Sequence, residues 1–135
     1  MTILAPLSPG ELIDKISILR IKSERIVGAG KLAHIHAELA ALESARKESS
    51  IESSPMLDLL EHELRAVNER LWQTEDDIRR YERDRDFGPA FVELARSVYR
   101  HNDQRAALKL QINELLEAEF LEQKQYGVGK SARFH

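Results

Sequence analysis

The chain contains no cysteine, which excludes disulfides, thiolate metal sites and cysteine nucleophiles. Glycine and proline are scarce, at 6 and 4 residues, and aromatic residues make up 6%, which suits long amphipathic helices and argues against a sheet. Charge of one sign does not dominate: 20 basic and 23 acidic residues are interleaved and leave a net charge of -3. No electrostatic footprint for nucleic acid is visible in that balance. Nowhere does an uncharged apolar run reach the roughly 18 residues of a membrane span. The opening residues carry no basic leader and an early proline, Pro6, so no export signal is expected and the expected location is the cytoplasm.

What is present is 42% hydrophobic and 32% charged residues, arranged at helical spacing. The fold class this implies is all-α, in one domain over 1–135 that is large enough to bury a core without metal or disulfide. Four helices are expected, over about 9–27, 31–47, 55–85 and 89–125, followed by a loose basic tail over 127–135. The first begins at a capping box, with Ser8 as N-cap, Pro9 at the first helical position and Glu11 at the third,. Its apolar arc is Leu12, Ile13, Ile16, Leu19, Ile26 and Val27, with Ile18 and Ile21 outside that arc. The run Gly28, Ala29, Gly30 reads as its left-handed stop. Leu32, Ile35, Leu39 and Leu42 mark the second helix, and the serine-rich stretch 48–54 is the one real linker,.

The third and fourth helices are separated only by Asp86, Phe87, Gly88 and Pro89, so an antiparallel hairpin is expected, with the two shorter helices packed on it and Phe87 stapled onto Val92. Both hairpin stripes are interrupted. Leu57, Leu60, Leu64, Val67, Leu71, Ile78 and Tyr81 break at Thr74, and Phe91, Leu94, Val98, Leu108, Ile112 and Leu115 break at His101 and Arg105. In an antiparallel pair the two breaks fall level, so a polar layer crosses the middle of the hairpin. Trp72, Glu75 and Arg79 share a line of the third helix with Asn68 and Glu82, while Tyr99, Asn102 and Lys109 share one of the fourth with Asn113. With Arg105, and with Lys15, Arg20 or Lys22 from the first helix, these residues would converge on a small anion such as a phosphate, sugar phosphate or carboxylate. The favoured reading of the layer is instead a hydrogen-bonded network that fixes helix register or dimer pairing, or solvated surface pairs such as Glu75 with Arg79. Trp72 reads more readily as a core anchor than as a ligand platform.

Metal chemistry is disfavoured and no cofactor is expected. His34 and His36 lie two apart on a helix and point away from each other, and Leu59 and Val98 stand where a di-iron motif needs glutamate before His62 and His101,. The run Gly127, Val128, Gly129, Lys130, Ser131 imitates the end of a phosphate-binding loop, but Lys124 replaces its first glycine,. The arginines at 79, 80, 83 and 85 alternate with Glu82, Asp84 and Asp86, which is the pattern of a solvated, self-paired helix end.

The segments Ser8-Pro9-Gly10-Glu11-Leu12-Ile13-Asp14-Lys15-Ile16 and Ile21-Lys22-Ser23-Glu24-Arg25-Ile26, the pair Leu71-Trp72 with the following 75–79, and the run 91–113 resemble an uncharacterised bacterial family of short all-helical proteins, a domain of unknown function. The resemblance implies no activity. It does imply a setting, since members of that family are encoded near glycosyltransferase and envelope-polysaccharide genes. The expected function is therefore a non-enzymatic helical interaction or scaffold protein, a homodimer that docks a protein partner such as a glycosyltransferase and is accessory to envelope polysaccharide biosynthesis. The alternative is a small-anion-binding protein, or an enzyme, that uses the polar layer.

Overall fold

The computed structural model describes residues 1–132, with side chains to Glu122, and every regular element in it is helical: α1 (Pro9–Arg25), α2 (Ala29–Glu48), α3 (Pro55–Arg83) and α4 (Pro89–Ala132). Two of the four starts follow from side-chain caps. Ser8 Oγ accepts from the Glu11 N–H at 3.2 Å and Ser54 Oγ from the Leu57 N–H at 3.1 Å, each followed by a proline whose missing N–H costs nothing there,. The reciprocal half of the expected capping box is not made, because the Glu11 carboxylate turns to Lys109 Nζ on α4, 2.5 Å away.

The break between the first two helices differs from the glycine stop that the sequence implies. α1 ends at Arg25 with an extended Ile26 as its cap, and Gly28, at φ 120°, precedes α2 as its N-cap, while Ala29 and Gly30 are already helical. Val27, expected on the buried arc, is exposed in that link, and Ile21, expected outside it, is 1% exposed. The reason is that α1 is covered on several sides: it packs against α2, α3 and α4 at once. α2 packs on α1 alone, so of its four stripe residues only Ile35 is buried. A bidentate ion pair from Arg46 to Glu61 also ties it to α3.

α3 and α4 make the most extensive helix contact, and α4 runs unbroken through Asn102. Ile13 of α1 joins Leu57, Leu60, Leu64, Val67 and Leu71 of α3 and Leu108 and Ile112 of α4 in one core, whose apolar burial drives the assembly. At the link between α3 and α4, Phe87 meets Phe91 edge to face at 5.2 Å instead of stapling onto Val92, which stays exposed. The helical backbone of α4 continues past 125, where the helix is expected to end, through Gly127 and Gly129 to Ala132. Residues 133–135 of the expected tail lie outside the described residues.

Candidate functional site

α1 approaches α4 more closely than any side chain would permit. A Cβ built on Gly10 would stand 2.3 Å from the Lys109 carbonyl oxygen and 2.9 Å from Asn113 Oδ1, so a residue without a side chain is required there. In that contact the Gly10 N–H donates to Asn113 Oδ1 at 2.7 Å. The first orphan donor of α1, since Pro9 has no N–H, is thus satisfied by a residue more than a hundred positions away,.

One turn further on, Asp14 is wholly buried. Its Oδ1 accepts from Arg105 Nε at 3.0 Å and from Asn68 Nδ2 at 3.0 Å, and its Oδ2 accepts from Arg105 Nη2 at 2.5 Å. Lys109 Nζ lies 3.9 Å from the same Oδ2, and Asn68 also donates to Ser17 Oγ at 3.3 Å. The hydrogen bond to Asp14 holds the Arg105 guanidinium above its usual pKa against the opposing effect of burial, with smaller contributions from the charges of Asp14, Glu11 and Glu75. One carboxylate therefore binds α1, α3 and α4 together, and its lone pairs are filled by charged and amide donors, as a buried ion must be.

Beside this network lies a cleft of about 390 Å³ between the same three helices. Six of the ten candidate residues line it: Lys22, Trp72, Glu75, Arg79, Asn102 and Arg105. Four do not. Lys15 is exposed, Arg20 is spent on Glu43 at 3.1 Å, Tyr99 is 59% exposed, and Lys109 is drawn into the Glu11 and Asp14 cluster. Arg105 belongs to both places, since its guanidinium closes the buried network and also borders the cleft. Trp72 is half-buried there, a wall residue and not a core anchor. His101 stays out of the network: its buried Nδ1 has no hydrogen-bond partner among the described residues.

Asp14, Ser17 and Gly10 escape a reading built on apolar stripes. The signal that finds them is the line Gly10, Asp14, Ser17, Ile21, spaced four, three and four residues apart, all four buried. Such spacing marks a second buried face of α1 on which small and polar residues replace leucine.

A larger groove of about 860 Å³ opens at one end of the bundle, between the start of α1, the link after α2 and α4. Pro9, Ile51, Leu116, Phe120 and Leu121 give it an apolar lining, and Ser50, held in the left-handed region at φ 57°, shapes its edge. Glu52, Glu114, Glu117 and Glu119 border it, and among the described residues no basic side chain does.

At the other end, Arg79 pairs with Asp76 at 3.2 Å and Arg80 with Asp77 at 3.5 Å, so two arginines of the stretch are paired, with Asp76 and Asp77 in place of the expected Glu82, Asp84 and Asp86. Among the described residues no group of three or more His, Asp or Glu side chains is placed to hold a metal ion, and no helix is long and apolar enough to cross a membrane. The chain matches no protein-family model, no curated protein and no solved structure.

Proposed function

We propose that this protein is a non-enzymatic helical interaction module that pairs with a second copy of itself through the groove at the end of the bundle. In this reading α3 and α4 form a long antiparallel hairpin that carries the two shorter helices. α4 is fifteen residues longer than α3, so about 22 Å of helix runs on past the start of α3.

The observation that carries the reading is the pairing of an apolar groove with a border of four carboxylates and, among the described residues, no cation. Its complement is a basic segment with apolar side chains, and the chain contains one. Residues 123–135 include Lys124, Lys130 and Arg133 and no acidic residue, together with Tyr126, Val128 and Phe134. Within one copy the helical backbone of α4 continues along its own axis through residues 123–132, past the turns that line the groove. A second copy can present it, and the exchange is then reciprocal: each copy offers one groove and one segment, the self-complementary arrangement of a two-fold dimer. The resemblance to the bacterial family adds a setting, an accessory role in the cytoplasm for envelope polysaccharide assembly, with a glycosyltransferase as a further partner.

Analytical ultracentrifugation of the full chain tests the pairing. The expected result is a dimer that weakens as salt rises, because opposed surface charges are screened. Ending the chain after Glu122, or Phe120→Asp at a side chain that is 58% exposed, should give a folded monomer with the same helicity per residue and a melting temperature that no longer depends on protein concentration. A full chain that stays monomeric at every accessible concentration, or a dimer indifferent to both changes, would refute the proposal.

A further inference from the structure

The cleft beside the Asp14 network is independent of the end groove and has a different chemistry. Its volume of about 390 Å³ is at the lower end of the range of small-molecule pockets, roughly 300–1,000 Å³, which fits a metabolite and is too small for a peptide. Its apolar surface comes from Ile18, Ile21, Leu71 and the indole of Trp72. Its polar groups are of two kinds.

The first kind is cationic. Lys22, Arg79 and Arg105 line the cleft with a single carboxylate, Glu75. Arg105 is neutralised by Asp14. Lys22 enters none of the ion pairs formed among the described residues. Arg79 is held by Asp76 at 3.2 Å and by Glu75 at 3.9 Å, but its side chain is 64% exposed, and solvated pairs of that sort are worth so little that an incoming anion can replace them. Counting Asp14 with Arg105 and Asp76 with Arg79, three cations face three carboxylates. The charge available to a ligand is that of Lys22, which is unpaired among the described residues, and of Arg79, whose solvated pairs an anion can replace,.

The second kind is neutral. Asn102 is exposed at the cleft, and Asn68 spends its amide hydrogens on Asp14 and Ser17 while its Oδ1 accepts no hydrogen bond among the described residues. An amide oxygen fixed in this way accepts a hydroxyl, and a free asparagine amide offers both a donor and an acceptor. An indole wall beside amides and a carboxylate is suited to a carbon skeleton that carries hydroxyl groups and presents C–H edges between them.

We propose that this cleft binds a small hydroxylated organic phosphate, with the phosphate between Lys22 and Arg79 and the skeleton against Trp72, Asn68 and Asn102. Arg105 acts here as a positioning residue, held in place by Asp14. Because the same network joins α1, α3 and α4, occupancy stabilises the fold by linkage.

The single tryptophan of the chain lies in the cleft and reports on it directly. Titration of the full chain with glucose-6-phosphate should change the Trp72 emission saturably, with a Kd at or below about 1 mM, and should raise the melting temperature. Glucose should give no response in the same range, and inorganic phosphate should bind more weakly. Lys22→Gln and Arg79→Gln should each weaken binding about tenfold or more while the melting temperature without ligand stays unchanged, since Lys22 is only half-buried and Arg79 is exposed. The proposal is overturned if there is no saturable response to glucose-6-phosphate, if glucose or inorganic phosphate binds as well, or if affinity is unchanged in both variants.

Discussion

Replacing Arg105 by leucine is the perturbation that most sharply tests the buried network. Asp14 has no solvent exposure, and without Arg105 its carboxylate keeps one amide hydrogen bond, from Asn68, and a lysine nitrogen 3.9 Å away. Breaking a buried pair by removing one partner costs about 3–5 kcal/mol. Arg105→Leu belongs at the upper end of that range because water cannot reach the stranded charge. Asp14→Leu belongs at the lower end, about 3 kcal/mol, because the guanidinium it strands is 28% exposed and can be partly rehydrated. The double variant Asp14→Leu, Arg105→Leu removes both charges and should lie within about 2 kcal/mol of the native protein, on either side of it. The coupling between the two positions is then several kcal/mol, the mark of residues that act as a unit. Urea unfolding followed by far-UV circular dichroism measures all three variants. For a domain of this size, Arg105→Leu corresponds to a fall of roughly 14–18 °C in Tm. A single-variant cost below about 1 kcal/mol, as expected for the exposed Arg20 and Glu43 pair,, or strict additivity in the double variant, would refute the assignment of this network as the clamp between the helices.

Two other expectations follow from the packing. Gly10→Ala should destabilise by about 1–3 kcal/mol although alanine is the better helix former by about 1 kcal/mol, because the new Cβ would meet the α4 backbone at 2.3 Å; an equal or raised Tm would show that α1 can shift away from α4 at no cost. Arg46→Ala removes the ion pair that ties α2 to α3, and α2 has a single buried residue, so hydrogen exchange should accelerate about tenfold or more across 29–48 while α3 keeps its protection. Equal acceleration in α3 would mean that α2 does not open separately.

The caps and the alternation of three and four residues are local properties of the chain, and they were sufficient for the elements themselves. Ser8 and Ser54 bond the third N–H of their own helices, and the stripe from Leu57 to Leu71 is the one that α3 buries. The interruptions of the stripes at Thr74, His101 and Arg105 likewise pointed to polar groups between the helices, and six of the ten residues grouped on that basis line one cleft. Where helices end, and which faces are doubly covered, depends on neighbours. Gly28 became the cap of α2 because α1 had already ended in an extended Ile26, and Ile21 is buried because three helices surround α1.

The all-helical class and the four elements were legible in the residues, because hydrophobic period, capping and turn chemistry act within a few positions. Tertiary structure alone decided that Asp14 is the partner of Arg105, that Gly10 is the point of closest approach, that Lys109 serves Glu11, and that Arg20, Lys15 and Tyr99 lie away from the cleft. Periodicity assigns a residue to a face of its own helix, whereas a salt bridge spanning 91 positions depends on the relative rotation and translation of two helices, which only packing sets.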